Sequence, residues 1–429
     1  MDAVIHSAPL ILPVSAPFIR DGALVVRHGR VVAAGPRREI MDEWQGEEET
    51  RWDGVMVAGL VNAHTHLQYT YMAKVGRQRY ASLEEWSTAF DEVYFGAPID
   101  WAASARDGAR QALRYGTTSA ADVVTDLEAV SALRDAGLGG LPYLEVLGDT
   151  DESWAASGRE RFAALLTEAG QPVGISPHAP YTLDTGVLGD VTGLAHELGL
   201  RLHVHLAEGE HEREYTVSGT GPLALLVREL GFDFAVLREG GTGLGPTALL
   251  GELGMLGPGC HVAHGVHLDA DDRALLRARD TVVALCPRSN QTLGMEGPDV
   301  AALLTEGNLV AVGTDSLSSS PSLDVLADVA VLRDLAVRQG YLAADLDRRL
   351  VEAATLGGAR AMGIEGGLGP GGPADFAVFD VPVGVEPYRT LIEEGPGRCL
   401  ATIIGGEVIW DSRTPTATDC YSATFRDIY

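Results

Sequence analysis

Residues 55 to 315 follow a repeating pattern, in which a short run of apolar, mostly β-branched residues ends in polar or histidine residues and an amphipathic stretch follows. Near-continuous apolar runs that alternate with helical segments predict parallel strands buried on both faces. Eight such runs favour a (β/α)8 barrel of the α/β class, with an open doubly wound sheet as the alternative. The runs are VMVAGLVNAHTH, TTSAADVV, LPYLEVLG, PVGISPHAP, RLHVHLAE, CHVAHGV, TVVALCP and LVAVGTD, and helical segments between them include residues 101–116, 126–137, 160–170 and 272–280.

The two chain ends have a different pattern. Residues 1–54 contain GALVVRHGRVVAAGP, and residues 366–429 contain GGLGPGGPADFAVFD and ATIIGGEVIW. Short alternating runs punctuated by Gly and Pro are typical of antiparallel strands. We therefore expect a small β-sandwich composed of residues 1–54 and 366–429, beside a barrel domain over residues 55–365. The longest connection between strand units, residues 209–259, is expected to carry an extra helix over the barrel mouth.

The composition narrows the classes of function. Of 429 residues, 46% are hydrophobic and 21% are charged, which is ordinary for a globular protein with a sizeable core. Lys+Arg 32 against Asp+Glu 60 gives a net charge of −28, so neither nucleic acid nor an anionic membrane is expected as a partner. Lys74 is the sole lysine, so a P-loop lysine is absent, and only Lys74 could form a pyridoxal phosphate Schiff base or a carboxylated bridge between two metals.

Cysteine usage and the N-terminal segment bear on location. Cys260, Cys286, Cys399 and Cys420 form no CxxC pair, and we expect reduced thiols. The N-terminal MDAVIHSAPLILPVSAPF has no basic segment before its short apolar run, and no run approaches the ~20 apolar residues of a membrane span. These features predict a cytoplasmic protein.

Histidine and acidic residues follow the predicted strands. His64 and His66 are two residues apart at the end of the first strand, so both imidazoles point into the barrel. In HVHLAE, His205 lies nearer the mouth than His203, which makes His205 the better candidate ligand and His203 a core histidine. Glu208, just past that strand, can reach a substrate as an acid or base.

Two further strand ends carry similar side chains. His264 ends the sixth run, whereas His261 has the opposite parity, and Asp315 follows the eighth run. A lone strand-end Asp commonly caps the next helix, and a lone HxH pair can be two hydrogen-bonded core histidines. At the carboxyl ends of four strands, where barrel enzymes perform their chemistry, the whole set instead predicts a metal-dependent active site.

A set of motifs carries a family resemblance. In chain order these are VAGLVNAHTH, SPHAPYTLD, HVHLAE, VAHGVH, CPRSNQTLG, VGTDSLSSSPSLD and GGPADFAVFD. Over essentially its whole length the chain resembles the amidohydrolase superfamily, in the mononuclear deaminase and chlorohydrolase branch, and within it is most similar to the aminofutalosine deaminases. The resemblance implies one divalent ion, Zn2+ first and Fe2+ or Mn2+ next, held by His64, His66, His205 and Asp315. It implies Glu208 as the proton shuttle, His264 as the residue that orients the attacking water, and Asp315 as the acceptor of the water proton.

The resemblance also implies a substrate class. This class is a 6-aminopurine nucleoside that undergoes hydrolytic deamination, with aminofutalosine of menaquinone biosynthesis as the first candidate. Deaminases of S-adenosylhomocysteine, methylthioadenosine or adenosine and a triazine-type chlorohydrolase are alternatives, and a non-catalytic metal-binding barrel is another class. Aminofutalosine carries a carboxylate and two planar rings. We therefore expect cationic and aromatic side chains, together with one histidine, to contact it. The candidate substrate-binding residues are His178, Arg288, Arg77, Arg79, Tyr69 and Trp86. Barrels with such an added β-domain often dimerise, so a homodimer is one expected state.

Overall fold

A computed structural model describes residues 3–414, and Cys420 lies outside them. The sixteen strands of the described residues are β1 (Val4–Leu12), β2 (Ile19–Arg27), β3 (Arg30–Pro36), β4 (Glu48–Arg51), β5 (Val55–Ala58), β6 (Leu60–Thr65), β7 (Thr117–Val124), β8 (Gly139–Val146), β9 (Gly174–Pro177), β10 (Leu202–Leu206), β11 (Cys260–His264), β12 (Val282–Leu285), β13 (Val310–Val312), β14 (Phe376–Phe379), β15 (Cys399–Ile404) and β16 (Glu407–Asp411).

Helices alternate with these strands from residue 67 onward. The α-helices are Arg37–Glu43, Leu83–Tyr94, Trp101–Arg114, Ala132–Ala136, Asp151–Ser153, Arg159–Glu168, Thr185–Leu198, Glu212–Ser218, Gly221–Glu229, Ala235–Glu239, Pro246–Glu252, Ala270–Ala278, Pro287–Thr292, Val300–Glu306, Val325–Arg338, Leu346–Glu352, Gly358–Met362 and Pro387–Glu394. Short 3-10 turns lie at Leu67–Met72, Val75–Arg77 and Leu127–Ala129, and π-turns at Trp154–Gly158 and Ala353–Gly357. No helix among residues 3–414 combines the length and the hydropathy needed to cross a bilayer.

The predicted barrel is confirmed. Strands β6 to β13 form one eight-stranded parallel sheet in chain order. The first and last strands are joined by side-chain and backbone hydrogen bonds: Asn62 Nδ2 donates to Thr314 Oγ1 at 2.8 Å, and the Thr314 amide donates to the His64 carbonyl at 3.1 Å. Residues that follow the strands therefore meet at one mouth.

A second eight-stranded sheet contains both chain ends, as expected. Its order is β16-β15-β14-β5-β1-β2-β3, with β4 pairing beside β1. The two chain ends meet where β14 pairs antiparallel with β5, Phe376 opposite Ala58. The expectation that the barrel begins at residue 55 is wrong by a few residues, since Val55–Ala58 belongs to this sheet and the first barrel strand starts at Leu60. Gly59 permits the transition because a side chain there would collide with Thr118.

Helix Trp101–Arg114 shows how local sequence sets the packing. The Asp100 carboxylate caps the helix by accepting from the Ala103 amide, and small side chains recur on its buried face. Gly108 packs against Leu67 and Thr70, where a Cβ would collide. The helix thereby supports the turn Leu67–Met72 that follows the first barrel strand.

The long connection over residues 209–259 carries four helices rather than one. Its apolar residues form a separate cluster with Ala179 and Tyr181, which follow β9 at the mouth, and Leu83 of helix Leu83–Tyr94 packs against that cluster. This connection and helix Leu83–Tyr94 therefore form part of the wall of the mouth. Cys260, Cys286 and Cys399 are buried free thiols, as expected of reduced cysteines.

Candidate metal centre and active site

Six buried side chains converge at the carboxyl ends of four barrel strands. The β6 end positions His64 and His66, and β10 positions His205, with Glu208 two residues past its end. The last residue of β11 is His264, and the loop after β13 brings Asp315 to the same point. The structure thus brings together every residue that the sequence assigned to metal binding or catalysis.

Their ligand atoms form an overlapping cluster. The ligand atoms of His64, His66 and Asp315 lie within 4.8 Å of one another, as do those of His64, His205 and His264. His66 Nε2 and His205 Nε2 are 3.3 Å apart, and Asp315 Oδ1 lies 3.6 Å from His64 Nε2 and 3.8 Å from His66 Nε2. Two nitrogens bound to one tetrahedral zinc at 2.0–2.1 Å are about 3.3 Å apart, so these spacings fit one ion.

The hydrogen bonds behind two of these rings orient them for a metal. His205 Nδ1 lies 2.9 Å from the carbonyl oxygen of His178, so it carries the hydrogen and leaves a lone pair on Nε2. His64 Nδ1 lies 2.7 Å from His203 Nε2, and His203 Nδ1 lies 3.2 Å from the His261 carbonyl. Since His203 must donate to that carbonyl, its Nε2 accepts from His64, and the buried His64 Nε2, which has no protein partner, is free to bind an ion.

Asp315 is held in one orientation. Its Oδ2 accepts from Ser289 Oγ at 2.7 Å and Ser319 Oγ at 2.6 Å, and its Oδ1, which faces the histidines, accepts from the Ser316 amide at 2.7 Å. Although burial by itself would raise the pKa of Asp315, the neighbouring side chains of His64, His264 and His66 hold it well below its ordinary value. Asp315 is therefore ionised and is a candidate ligand.

His264 and Glu208 lie beside this set. His264 Nε2 is 3.5 Å from Glu208 Oε1, and the ligand atoms of both lie within 4.8 Å of that of Asp315. Burial, together with the carboxylates of Asp315 and Glu212, raises the pKa of Glu208 well above its ordinary value, which suits a proton donor near neutral pH. His264 and Asp315 adopt left-handed backbone conformations, with φ of 74° and 59°, a strain that is common at functional sites.

Burial favours the neutral form of three histidines of the site, His66, His205 and His264. It lowers the pKa of His205 to about 3, and it lowers the pKa values of His66 and His264 well below the ordinary value, with further lowering from the neighbouring His64. Neutral imidazole is the form that binds a metal ion.

Three predicted substrate contacts lie around the centre. His178 stacks on His205 with ring centroids 4.5 Å apart, and its Nδ1 lies 3.0 Å from Thr182 Oγ1. Tyr69 stacks on His66 at 5.4 Å. On helix Leu83–Tyr94, Trp86 Nε1 donates to the Ser318 carbonyl in the loop after β13, at 2.8 Å. Aromatic and imidazole rings therefore wall the mouth on the sides of β6, β9 and β13.

Arg288 has a role that the sequence did not predict. Its guanidinium donates to Asp328 Oδ2 at 2.9 Å, and to Ser322 Oγ and the Ser322 carbonyl at 2.8 and 2.7 Å. A further bond reaches the Asp324 carbonyl at 3.1 Å, and the side chain is only 11% exposed. With its donors engaged inside the fold, Arg288 is placed as a structural residue, and the expectation that it holds a substrate carboxylate is corrected.

Arg77 and Arg79 are exposed and lie in the loop between β6 and helix Leu83–Tyr94. That loop borders the mouth: the Tyr80 amide donates to the Thr292 carbonyl at 2.8 Å, and Gly76 approaches the Leu317 backbone too closely to admit a Cβ. Both arginines therefore belong to a segment at the rim.

The roles of four residues at the site were not predicted from the sequence. His203 orients a ligand, Ser289 and Ser319 hold Asp315, and Asn290 Nδ2 lies 3.2 Å from His264 Nδ1. The motifs CPRSN and DSLSSSPS contain three of them, but hydroxyl and amide side chains in loops carry no distinctive spacing. Only their approach to Asp315 and His264 reveals them.

A parallel barrel whose mouth gathers four imidazoles and two carboxyl groups has the arrangement typical of a metal-dependent barrel hydrolase. Residues 55–409 match the amidohydrolase family, and the chain belongs to that family. It is accordingly a metal-dependent hydrolase acting on C–N bonds.

Relatives with known activities span most of the chain. The aminodeoxyfutalosine deaminase of Deinococcus radiodurans is 33% identical over 355 residues, which are 80% of this chain and 81% of that protein. The 5-methylthioadenosine/S-adenosylhomocysteine deaminase of Moorella thermoacetica is 30% identical over 401 residues, which are 86% and 84% of the two chains. An adenosine deaminase from Xanthomonas campestris, solved with bound zinc, shares the fold with a TM-score of 0.81 at 23% identity, covering 99% of this chain and 97% of that one.

Proposed function

We propose that this protein deaminates a 6-aminopurine nucleoside by metal-assisted hydrolysis. The observation that carries the proposal is the convergence of six buried side chains at the barrel mouth, whose ligand atoms form three overlapping groups: His64, His66 and Asp315; His64, His205 and His264; and Glu208, His264 and Asp315. Relatives named as deaminases of 5-methylthioadenosine/S-adenosylhomocysteine, aminodeoxyfutalosine and 5'-deoxyadenosine support this reaction over dechlorination.

The proposed ion is Zn2+, which suits three neutral imidazoles and one carboxylate. When bound, it supplies the Lewis acidity that makes water a nucleophile near neutral pH. Asp315 Oδ1 accepts the proton of the attacking water. Glu208 carries a proton to the ring nitrogen next to the attacked carbon, which makes that carbon electrophilic, and His264 Nε2 donates a hydrogen bond to the oxygen that adds there. The proton held by Asp315 passes to the exocyclic amino group, which leaves as ammonia, and Glu208 takes up the proton of the added hydroxyl as the carbonyl forms.

For the substrate we propose aminofutalosine, with methylthioadenosine and S-adenosylhomocysteine as the second candidates. The Deinococcus relative supports the first and the Moorella relative the second. The rings of Tyr69 and Trp86 offer flat faces to a purine or aryl group, and Arg79 at the rim offers a guanidinium to a carboxylate. His178 is proposed to contact the nucleoside.

The test is turnover of purified, zinc-loaded protein, followed by ammonia release and by the absorbance change from adenine to hypoxanthine. Aminofutalosine, methylthioadenosine, S-adenosylhomocysteine and adenosine are compared, and aminofutalosine is expected to show the highest kcat/KM. Preference for either sulfur-containing nucleoside would retain the reaction and overturn the substrate, whereas ammonia release from none of the four would overturn both. Arg79→Met should raise KM for aminofutalosine and leave that of its methyl ester unchanged.

A further inference from the structure

We infer that Asn290 is a positioning residue that fixes which ring nitrogen of His264 carries hydrogen, and thereby makes His264 a hydrogen-bond donor rather than a fifth metal ligand. The inference rests on the proposed function for its catalytic meaning, because a donor at Nε2 matters where a developing oxyanion is stabilised. The hydrogen bond between the two side chains does not depend on that function and has a test of its own.

The side chains of Asn290 and His264 are in contact. Asn290 is fully buried on helix Pro287–Thr292, and its Nδ2 lies 3.2 Å from His264 Nδ1. The Asn290 amide donates to the Cys286 carbonyl at 3.0 Å, and the Asn290 carbonyl accepts from the Met295 amide at 2.8 Å. The backbone of Asn290 is therefore held on both sides. Of its two side-chain polar atoms, Nδ2 contacts the His264 nitrogen that faces away from the site, whereas the buried Oδ1 has no hydrogen-bond partner.

The surroundings of His264 decide which of its ring nitrogens carries hydrogen. His264 Nε2 is buried, lies 3.5 Å from Glu208 Oε1, and belongs to one cluster with Asp315. A lone pair on Nε2 is repelled by the ionised carboxylate of Asp315, whereas an N–H is attracted. The Nε2–H form is therefore favoured, and in the neutral ring it leaves a lone pair on Nδ1. The amide group of Asn290 supplies the donor that this lone pair requires.

The proposed ligand histidines have a different kind of partner at Nδ1 from that of His264. Behind His205 stands the His178 carbonyl, and behind His64 stands the acceptor nitrogen of His203. Acceptors at Nδ1 place the lone pair on Nε2, where it faces the ion, and a donor at Nδ1 has the opposite effect. His264 lies close enough to His64 and His205 to share an ion with them, so the chemistry of the partner at Nδ1 separates donor from ligands.

The neighbouring residue adds a second effect. Ser289 donates to Asp315 Oδ2 at 2.7 Å, so one turn of helix Pro287–Thr292 sets the hydrogen bonding of two groups, a metal ligand from β13 and a donor from β11. The adjacent Ser289 and Asn290 in CPRSN therefore position two side chains that follow different strands, Asp315 and His264.

The test reads the tautomer by NMR in zinc-loaded protein with 15N-labelled histidine, with the His264 signals assigned from a His264→Gln variant. In the parent protein His264 is expected to carry hydrogen on Nε2. Asn290→Asp substitutes a carboxylate that only accepts, so the hydrogen should move to Nδ1. Gln291→Glu, which adds the same charge one residue along the helix, is the matched control and should leave the tautomer unchanged.

Activity supplies a second measurement. Asn290→Asp and Asn290→Ala should each lower kcat by about 10- to 100-fold at unchanged metal content, with a smaller effect on KM. A parent protein whose His264 carries hydrogen on Nδ1, or an Asn290→Asp protein whose tautomer matches the parent, overturns the inference. These spectra need no substrate, so failure of the deaminase proposal and failure of this inference are distinguishable.

Discussion

The buried histidines at the barrel mouth differ in what the ring nitrogen away from the site contacts. His64 has His203 behind it and His205 has a backbone carbonyl, so each directs a lone pair inward. His264 has the amide group of Asn290 instead. Residue identity alone does not separate these roles, because each nitrogen can donate or accept until its partner is known.

The contact between His203 and His64 leads to a prediction about metal binding. His203→Leu removes the acceptor for His64 Nδ1 and should weaken zinc affinity about 10- to 100-fold, as measured by competition with a chromophoric chelator. His203→Gln keeps an acceptor at that position and should lose less affinity. Equal affinities for the parent and His203→Leu would show that His203 is only a core residue.

Substitutions of Glu208 and His64 should separate the loss of proton transfer from the loss of metal binding. Glu208→Gln retains the side-chain shape but cannot supply the proton, so it should keep zinc and lose turnover by about 10²- to 10⁴-fold. His64→Ala should lose zinc and activity together, because it deletes one ligand. Metal content by atomic spectroscopy is measured beside kcat, and full activity in a metal-free His64→Ala protein would contradict the site.

At the scale of elements, the loops after β12 and β13 are tied together below the site. Arg288, at the start of helix Pro287–Thr292, forms an ion pair with Asp328 of helix Val325–Arg338 at 2.8 Å. The same helix that presents Ser289 and Asn290 is therefore anchored by a buried charge pair. Burial raises the pKa of Asp328 to about 6 even beside this arginine.

Arg288→Met should accordingly destabilise the fold rather than weaken substrate binding. Removing one partner leaves the fully buried Asp328 carboxylate uncompensated, which costs about 3–5 kcal/mol. Urea unfolding measures the free energy of unfolding, and exposed Arg360→Met is the matched control, with an expected change within about 0.5 kcal/mol. A KM increase for the acid substrate at unchanged stability would restore the substrate role of Arg288.

At the scale of the whole molecule, one sheet joins the two chain ends and packs against the barrel. The principal hydrophobic core runs through both units, from Leu10 and Phe376 in the sheet to Val204 and Val283 in the barrel. His6 of β1 is buried in this sheet, where it accepts from Trp52 Nε1 at 3.3 Å and meets the edge of Phe376. Burial lowers its pKa to about 4.

His6 therefore makes stability depend on pH. The unfolded chain protonates His6 near its ordinary pKa of 6.5 while the folded chain stays neutral down to about 4, so stability is lost as pH falls through this window. The loss reaches about 3 kcal/mol at most. His6→Asn keeps an acceptor without the titration and should show a flatter dependence of unfolding free energy on pH, whereas exposed His28→Asn should match the parent slope. Parallel slopes for His6→Asn and the parent would exclude this contribution.

Much of the fold was predictable because periodicity reports burial directly. Runs such as TVVALCP are too continuously apolar for one-sided burial, and their alternation with helical segments implies a barrel. Helix 101–116 was predicted within two residues of Trp101–Arg114. The transfer of Val55–Ala58 to the terminal sheet was not predictable, because that run continues into β6 with no change of pattern and only the pairing with β1 and β14 distinguishes it.

The sequence by itself determined the barrel and which candidate ligands gather at its mouth, because strand parity and strand ends decide which side chains reach the mouth. Tertiary structure decided how each group is used. The same guanidinium can hold a substrate or an internal aspartate, and only the approach of Asp328 assigns Arg288 to the fold. Likewise, the partners of His64 and His264 lie 139 and 26 residues away in the chain, so their tautomers depend on contacts that no local pattern records.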